Sequence, residues 1–424
     1  MSIERDDWLP ALPSGWAAVP AKSLFSLRSE KSRPDDVHLT PSQKYGVIPQ
    51  SEYMEITGSR VVLNLVGSDN MKHVEPGDFV IHLRSFQGGV EFSQHRGKVS
   101  AAYTVLTPTP LAEPRFFRWL LKSERYIQAL QVSVDQLRDG QSIRYGDFAK
   151  IDLPLAPPDT QRRIADYLDR ETATIDALIE KQRQLSDALR TRRRAAVLAR
   201  TGFLGVRPAS AASSEPWLES APSHWPRMHV RRLFDLTSGA GFPPELQGVT
   251  DEELAFYKVR DLGRADSYGR LGEPEDTISR ETADKLRAKV LPSGTLVMAK
   301  IGAALLLGRI RVATRPSCID NNMLALSPKS LLHPRYAAYM LEGLLLERLV
   351  QPGAVPSLNE KEFRGTVFPV PPLDEQREIA DHLDRETAKI DTLIAKAERF
   401  IDLAQERRAA LITAAVTGQI EIPT

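Results

Sequence analysis

Two stretches of this chain are nearly the same, and they lie about half a chain apart. Asp166 to Ile179 reads Asp-Tyr-Leu-Asp-Arg-Glu-Thr-Ala-Thr-Ile-Asp-Ala-Leu-Ile, and Asp381 to Ile394 reads Asp-His-Leu-Asp-Arg-Glu-Thr-Ala-Lys-Ile-Asp-Thr-Leu-Ile. Eleven of fourteen positions are identical at an offset of 215. Self-similarity of this degree marks a tandem duplication, which limits the fold to two copies of one plan. A second repeat bounds the copies: Trp8-Leu9, Pro13-Ser14, Trp16, Leu24-Phe25 and Leu27 return as Trp217-Leu218, Pro222-Ser223, Trp225, Leu233-Phe234 and Leu236, all at an offset of 209. The repeated unit is therefore an opening motif, a globular segment and a helix.

The boundaries follow: a first globular domain over 1–150, a helical spacer over 151–206, a linker over 207–220, a second globular domain over 221–366 and a C-terminal helical spacer over 367–424. Arg207 to Pro222 is rich in Ala, Ser and Pro, the composition of an exposed linker. In the first domain Val61 to Val66, Asp78 to Leu83 and Ala102 to Leu106 are short β-branched or aromatic runs and read as strands, with a helix over Pro114 to Gln131. In the second, Thr295 to Met298 and Asn322 to Leu326 read as strands and Pro334 to Leu349 as the helix. Both end alike, at Ser142-Ile143 then Phe148 and at Ser357-Leu358 then Phe363. Outside these landmarks the domains share little.

Each domain exits through a proline step, Leu153 to Asp159 and Phe368 to Asp374, with Asp159 and Asp374 expected as helix N-caps. In the helices that follow, Ile164, Leu168, Ile175, Leu178, Leu185 and Leu189 form one heptad seam, and Ile379, Leu383, Ile390, Leu393 and Phe400 the other. Each helix is expected to run about 40 residues, or about 60 Å. A lone seam of this width is not stable in water, so the two are expected to pack on each other. Glu171 and Glu386 leave pairing with the helices of another protein open. The expected fold class is α+β: two globular α/β domains joined by two long helices that form an antiparallel coiled coil.

At 424 residues the chain exceeds one ordinary core. No apolar run is long enough to span a membrane, the first residues carry no apolar signal core, and Cys318 is the single cysteine. These features predict a cytoplasmic protein. A net charge of +1 is low for a protein that grips nucleic acid alone, so any such binding needs local basic clusters or partners. There is no phosphate-binding Gly-x-x-x-x-Gly-Lys-Ser/Thr loop, no His-Glu-x-x-His or cysteine pair, and no Asn/Asp-Pro-Pro-Tyr/Phe tetrapeptide of amino-methyltransferases. The sequence offers no catalytic constellation.

The alternation of two dissimilar domains with two nearly identical helices resembles the specificity subunit of type I restriction–modification enzymes. The likeness spans essentially the whole chain. It is carried by the Pro-x-x-Asp-x-Gln-Arg-x-Ile-Ala-Asp-x-Leu-Asp helix start, by the Thr201-Gly202 and Thr417-Gly418 helix ends, and by Leu83 to Gly89. The resemblance implies a non-catalytic subunit whose two target recognition domains, related by a pseudo-twofold axis, each read half of a split, asymmetric sequence in double-stranded DNA. It implies helices that set the gap and dock two modification (adenine methyltransferase) subunits. S-adenosylmethionine would sit on those partners, and ATP and Mg on restriction (translocase/endonuclease) subunits. A coiled-coil assembly scaffold that reads no DNA is the alternative.

Candidate DNA contacts follow from side-chain chemistry. Arg84, Ser85, Phe86, Gln87, Gly88 and Gly89 follow a strand. Arg and Gln can bond guanine and adenine edges bidentately, and glycines allow a close backbone approach. The same run also reads as a hairpin turn with solvated ends. Arg96 and Lys98 lie just beyond and suit phosphates. In the second domain Lys300 is the positional equivalent, followed by Arg309 and Arg311; Lys258, Arg260, Asn321 and Asn322 are further candidates. Arg190 to Arg194 is the densest basic run, read as a solvated face or a partner-binding ridge rather than a phosphate contact.

Overall fold

The computed structural model describes residues 8–59, 70–82, 85–133, 143–202, 221–266, 269–343, 349–351 and 353–423. The strand expected at Val61 to Val66, Leu83 and Arg84, Ser142, and most of the linker with Trp217-Leu218 lie outside the described residues. The chain forms two compact units, Met1–Gln182 with Phe400–Thr424, and Arg183–Arg399. Both divisions fall inside the long helices, so each helix starts in one unit and ends in the other.

In the first unit β1 (Phe25–Leu27), β2 (Phe79–Ile81), β3 (Glu91–Phe92) and β4 (Thr104–Pro108) form an antiparallel sheet in the order β1-β4-β2-β3. The central strand β2 is apolar throughout because both of its faces are covered. Phe79 and Ile81 join a core with Phe25 and Leu106, while Val80 packs opposite with Val47, Val74, Val99 and Val105. Phe25 is the hub, meeting Phe79, Phe117 and Phe148 edge-on at 5.4, 5.3 and 5.6 Å. The helix expected over Pro114 to Gln131 is broken into α1 (Pro114–Leu120) and α2 (Glu124–Ser133). At the break, the Leu121 carbonyl turns out of the helix and accepts from Val90 N–H at 3.2 Å.

The second unit repeats this plan with β5 (Phe234–Ser238), β6 (Leu296–Ala299), β7 (Ile310–Val312) and β8 (Met323–Pro328) in the order β5-β8-β6-β7. It adds a three-stranded sheet in which Leu254–Tyr257 runs parallel to Ser317–Ile319. The helix α4 spans Pro334–Glu342. In each unit the strand that opens the domain pairs with the proline step that leaves it: Ala17–Pro20 with Asp152–Leu155, and Arg227–His229 with Val367–Pro369. These are two-stranded edges, where proline's missing N–H costs no ladder bond.

The long helices are α3 (Pro158–Arg200), of 43 residues, and α5 (Leu373–Val416), of 44. Both begin one residue before Asp159 and Asp374, so these aspartates are first-turn residues rather than N-caps. There they still face the positive end of the helix dipole. Both helices finish at Thr-Gly, with Gly202 and Gly418 at φ 82° and 71°, the left-handed stop that favours glycine. Gly418 sits against Pro13 and Trp16, and Gly202 against Trp225. The repeated spacing of each opening motif thus serves a helix end within its own unit.

The expected seam needs correction. Ile164, Leu168, Ile175, Leu189, Ile379, Leu383 and Ile390 are buried, but Leu178, Leu185, Leu393 and Phe400 are exposed. The buried stripe runs instead through Thr172, Ile175, Ile179, Ser186 and Leu189, and through Thr387, Ile390 and Ala397. Steps of three and four from Leu168 lead to Ile179 and Ser186, one residue beyond the leucines, which is about 100° around the helix. Side-chain apolarity pointed to Leu178 and Leu185; unbroken helical spacing points to their neighbours. Glu171 and Glu386 are half-buried at the flank, and Thr172 and Thr387 hold the seam. Within each unit the start of one long helix meets the end of the other, as Ile164 and Leu168 do with Ile412 and Val416, so the pairing is antiparallel.

Candidate functional site

The duplicated Asp-Arg-Glu-Thr-Ala stretch proves to be the seat on which each domain is fastened to its helix. In the first unit, Asp169 on α3 accepts from Trp119 Nε1 at 2.9 Å and from Arg115 at 2.6 Å on α1, and also pairs with Arg118. Arg115 reaches Asp166 as well, at 2.8 Å. In the second unit, Asp384 on α5 accepts from Tyr339 Oη at 2.7 Å and pairs with Arg335, which also holds Asp381 at 2.9 Å. Burial opposes ionisation of Asp169, but these three donors hold its carboxyl below the usual range. Two turns earlier, the buried Gln161 donates to Ala156 and Leu111 carbonyls at 2.8 and 3.0 Å, and Gln376 does the same for Pro371 and Leu331 at 2.8 and 2.9 Å.

A second pair of contacts crosses the helices. Arg193 on α3 reaches Asp391 on α5 at 2.8 Å and pairs with Glu342 on α4. At the equivalent places in the first unit, Arg408 on α5 lies 2.9 Å from Asp176 on α3, without the alignment of a hydrogen bond, and over the Trp119 ring at 5.6 Å. Reading by motif missed these arginines and aspartates. Their signal was present in the offset of 215 that relates Asp169 to Asp384, Asp176 to Asp391 and Arg193 to Arg408.

The predicted contacts are distributed over several places. Arg84 lies outside the described residues, and Phe86 and Gln87 are described only as part of a single helical turn, Ser85–Gly88. Ser85 is buried, its Oγ accepting from His82 N–H at 2.9 Å. Gly89, at φ 80°, backs onto the Leu121 carbonyl, where a Cβ would come within 2.2 Å. Its conformational freedom serves packing within the domain. Arg96 is paired with Asp35 at 2.7 Å, and Lys98 is half-buried in the strand Gly97–Val99. In the second unit Lys258 and Arg260 both bind the buried Asp276 at 2.8 Å. Lys300 N–H bonds the Asn322 carbonyl at 2.8 Å, and Asp320 N–H bonds the Tyr257 carbonyl at 3.0 Å. Lys258, Lys300 and the exposed Asn321 and Asn322 therefore share one end of the domain.

Arg309 and Arg311 lie elsewhere, in a cavity of about 910 Å³ within the second unit. One wall is β7 and the turn before it; the other is α3 at Arg190 to Arg194 with α4 and α5. Arg311 is anchored by its Nε to the Leu262 carbonyl and by a terminal nitrogen to the Ile310 carbonyl, each at 2.9 Å. Its strand register is informative. Arg311 lies opposite Val297 in β6, and the residue opposite Val80 in β2 is Glu91. Glu91 is fully buried and held by Lys122 Nζ at 2.6 Å, and the residue at the place of Lys122 on α4 is Glu342. The two units therefore carry opposite charges at matching positions.

Residues 252–399 match the family model described as the type I restriction modification DNA specificity domain. A 66-residue stretch is 36% identical to the type I restriction enzyme EcoBI specificity subunit of Escherichia coli, covering 16% of this chain and 14% of that protein. The EcoDI specificity subunit of the same organism is 21% identical over 357 residues, 78% of this chain and 76% of its own. A chain from a solved type I R-M system, reported for complex assembly and conformational transition, superposes with a TM-score of 0.67 at 18% identity, over 97% of this chain and 100% of that one. At that identity the likeness speaks to the fold.

Proposed function

We propose that this chain, which belongs to the specificity subunits of type I restriction–modification systems, reads the two halves of a split DNA sequence with its two domains. The observation that carries this reading is the contrast inside the duplication. The seat residues Gln161, Asp166 and Asp169 on α3 recur as Gln376, Asp381 and Asp384 on α5, while the domains they hold diverge in sequence and, at one matched strand position, in sign of charge. A reader of one repeated sequence would keep both surfaces alike; a reader of two different half-sites keeps only the mounting. At the end of the second domain shared by Lys258, Lys300, Asn321 and Asn322, amide and ammonium donors suit base edges and phosphates. In the first domain Arg84, Gln87, Arg96 and Lys98 take that role, while Ser85 and Gly89 serve packing within the domain.

The helices set the gap between the half-sites and dock two modification subunits. Each unit supports one: Leu178 and Phe400 are exposed in the first and Leu185 and Leu393 in the second, apolar side chains at repeat-equivalent positions. The subunit itself performs no chemistry. S-adenosylmethionine sits on the modification subunits, and ATP and Mg on the restriction subunits that complete the complex. The protein works in the cytoplasm, where its DNA is. No helix among the described residues is long and apolar enough to cross a membrane. The test is capture of a modification subunit by this chain, followed by adenine-methylation mapping of DNA exposed to the assembled complex. A split motif with a fixed gap is expected. Capture of the partner with methylation lacking any such motif would leave only the assembly-scaffold alternative.

A further inference from the structure

The cavity of the second unit is lined by seven arginines and four carboxylates, so cations are in excess. Four arginines are engaged with carboxylates: Arg190 with Glu398, Arg193 with Asp391 and Glu342, Arg270 with Asp266, and Arg335 with Asp384. Among the described residues Arg194, Arg309 and Arg311 have no carboxylate partner. Arg311 is the most telling of the three, because two backbone carbonyls fix its guanidinium while burial, Arg309 and Arg193 push its pKa down against the pull of Glu342 and Asp266. A cation held in a desolvated place among other cations is stabilised by an anion from outside.

The lining also narrows the anion. Guanidinium forks match phosphate oxygens in pairs. The aromatic ring in the lining, Tyr339, is buried with its hydroxyl on Asp384, so no ring face is offered to stack a base. The cavity is suited to phosphate without its nucleobase. In the first unit a smaller cavity of about 520 Å³ lies at the matching place, where Arg115 and Arg118 are balanced by Asp169 and Asp176. The Glu91–Lys122 pair stands at the positions of Arg311 and Glu342, with Lys122 also bound to the Gly88 and Gln43 carbonyls at 2.9 and 3.1 Å. That pair leaves no surplus cation at the matching positions.

We propose that this arginine cavity grips phosphates of the DNA backbone without regard to sequence, giving the second unit a hold on the duplex that the first unit lacks. The proposal rests on the DNA-reading function above and adds a sequence-independent contact to it. The test compares the full chain, in complex with its modification subunits, with an Arg194→Ala/Arg309→Ala variant and a charge-keeping Arg194→Lys/Arg309→Lys variant. Binding to a duplex carrying the mapped motif and to a scrambled duplex is titrated against salt, with thermal melting as the check on folding. The alanine variant should lose affinity several-fold and equally for both duplexes. Its log–log salt slope should fall by about 0.9 for each phosphate that it no longer neutralises, and the lysine variant should keep most of the slope. An unchanged slope overturns the proposal. So does a weakening confined to the motif duplex, which would mean base contact, or a failure of modification-subunit capture alone, which would mean a protein partner. Failure of the wild-type complex to prefer the motif duplex would instead sink the underlying DNA-reading function.

Discussion

The two units solve one packing problem with opposite charges. In the first, Glu91 is buried on the edge strand and Lys122, two residues past α1, neutralises it. In the second, Arg311 is on the strand and Glu342 on the helix, but Glu342 is taken by Arg193 from the long helix. The first two residues satisfy each other; in the second unit Arg193 takes Glu342, and Arg311 is left on the Leu262 and Ile310 carbonyls. Only the second arrangement ties its domain to a long helix, through Arg193 and Glu342, and only it leaves surplus charge for a ligand. Fold conservation after duplication requires that buried charges be compensated, without requiring by which residue.

That comparison can be broken by mutation. The largest expected effect lies in the hydrophobic hubs: Phe25→Ala should destabilise the first unit by about 3–5 kcal/mol. Phe234→Ala should cost about 0.5–1.5 kcal/mol less in the second, since Phe25 meets three aromatic rings edge-on. Urea unfolding that follows each unit separately checks both. Next, Lys122→Met strands the buried Glu91 carboxylate and should cost about 2–4 kcal/mol, most of it recovered in a Lys122→Met/Glu91→Gln double variant. The seats come third: Asp169→Asn or Asp384→Asn should each cost about 1–2 kcal/mol, by similar amounts if the seats are equivalent.

The smallest expected effect is a pH dependence confined to the first unit. His73 is buried between Asp36 and Glu75, each 2.7 Å from a ring nitrogen. Burial disfavours the charged imidazole, but the two carboxylates outweigh it and the pKa is raised. Because the folded value lies above the unfolded one of about 6.5, the imidazolium's contribution is complete below that pH. It is lost as pH rises through the folded pKa. The melting temperature of the first unit should therefore fall above about pH 6.5 relative to that of the second, and His73→Gln should flatten the difference.

Much of the architecture could be read from repeats, since two copies of a motif locate the same structural joint twice. The strands β2, β4, β6 and β8, the starts of α1 and α4 and the Thr-Gly helix ends all lie where apolar runs and offsets put them. The seam was misread where residue type and helical spacing disagree: Leu178 and Leu185 are more apolar than Ile179 and Ser186 taken together, yet the second pair is on the buried stripe. The candidate site was less legible. Arg309 and Arg311 were identifiable as cations, but nothing local to them shows that Arg193 diverts Glu342 or that Glu91 stands at the matching place. Those facts depend on strand register and on residues far away in the chain. The role of Gly89 was hidden for the same reason, as the Leu121 carbonyl that demands it lies beyond the loop.

The central claim is that constant mountings carry independent readers. It is tested most directly by replacing residues 12–150 with the corresponding domain of a related specificity subunit and mapping adenine methylation by the assembled complex. The account predicts that one half of the split motif changes while the other half and the gap stay as they were. A motif that changes in both halves, or one left wholly unaltered, would contradict it.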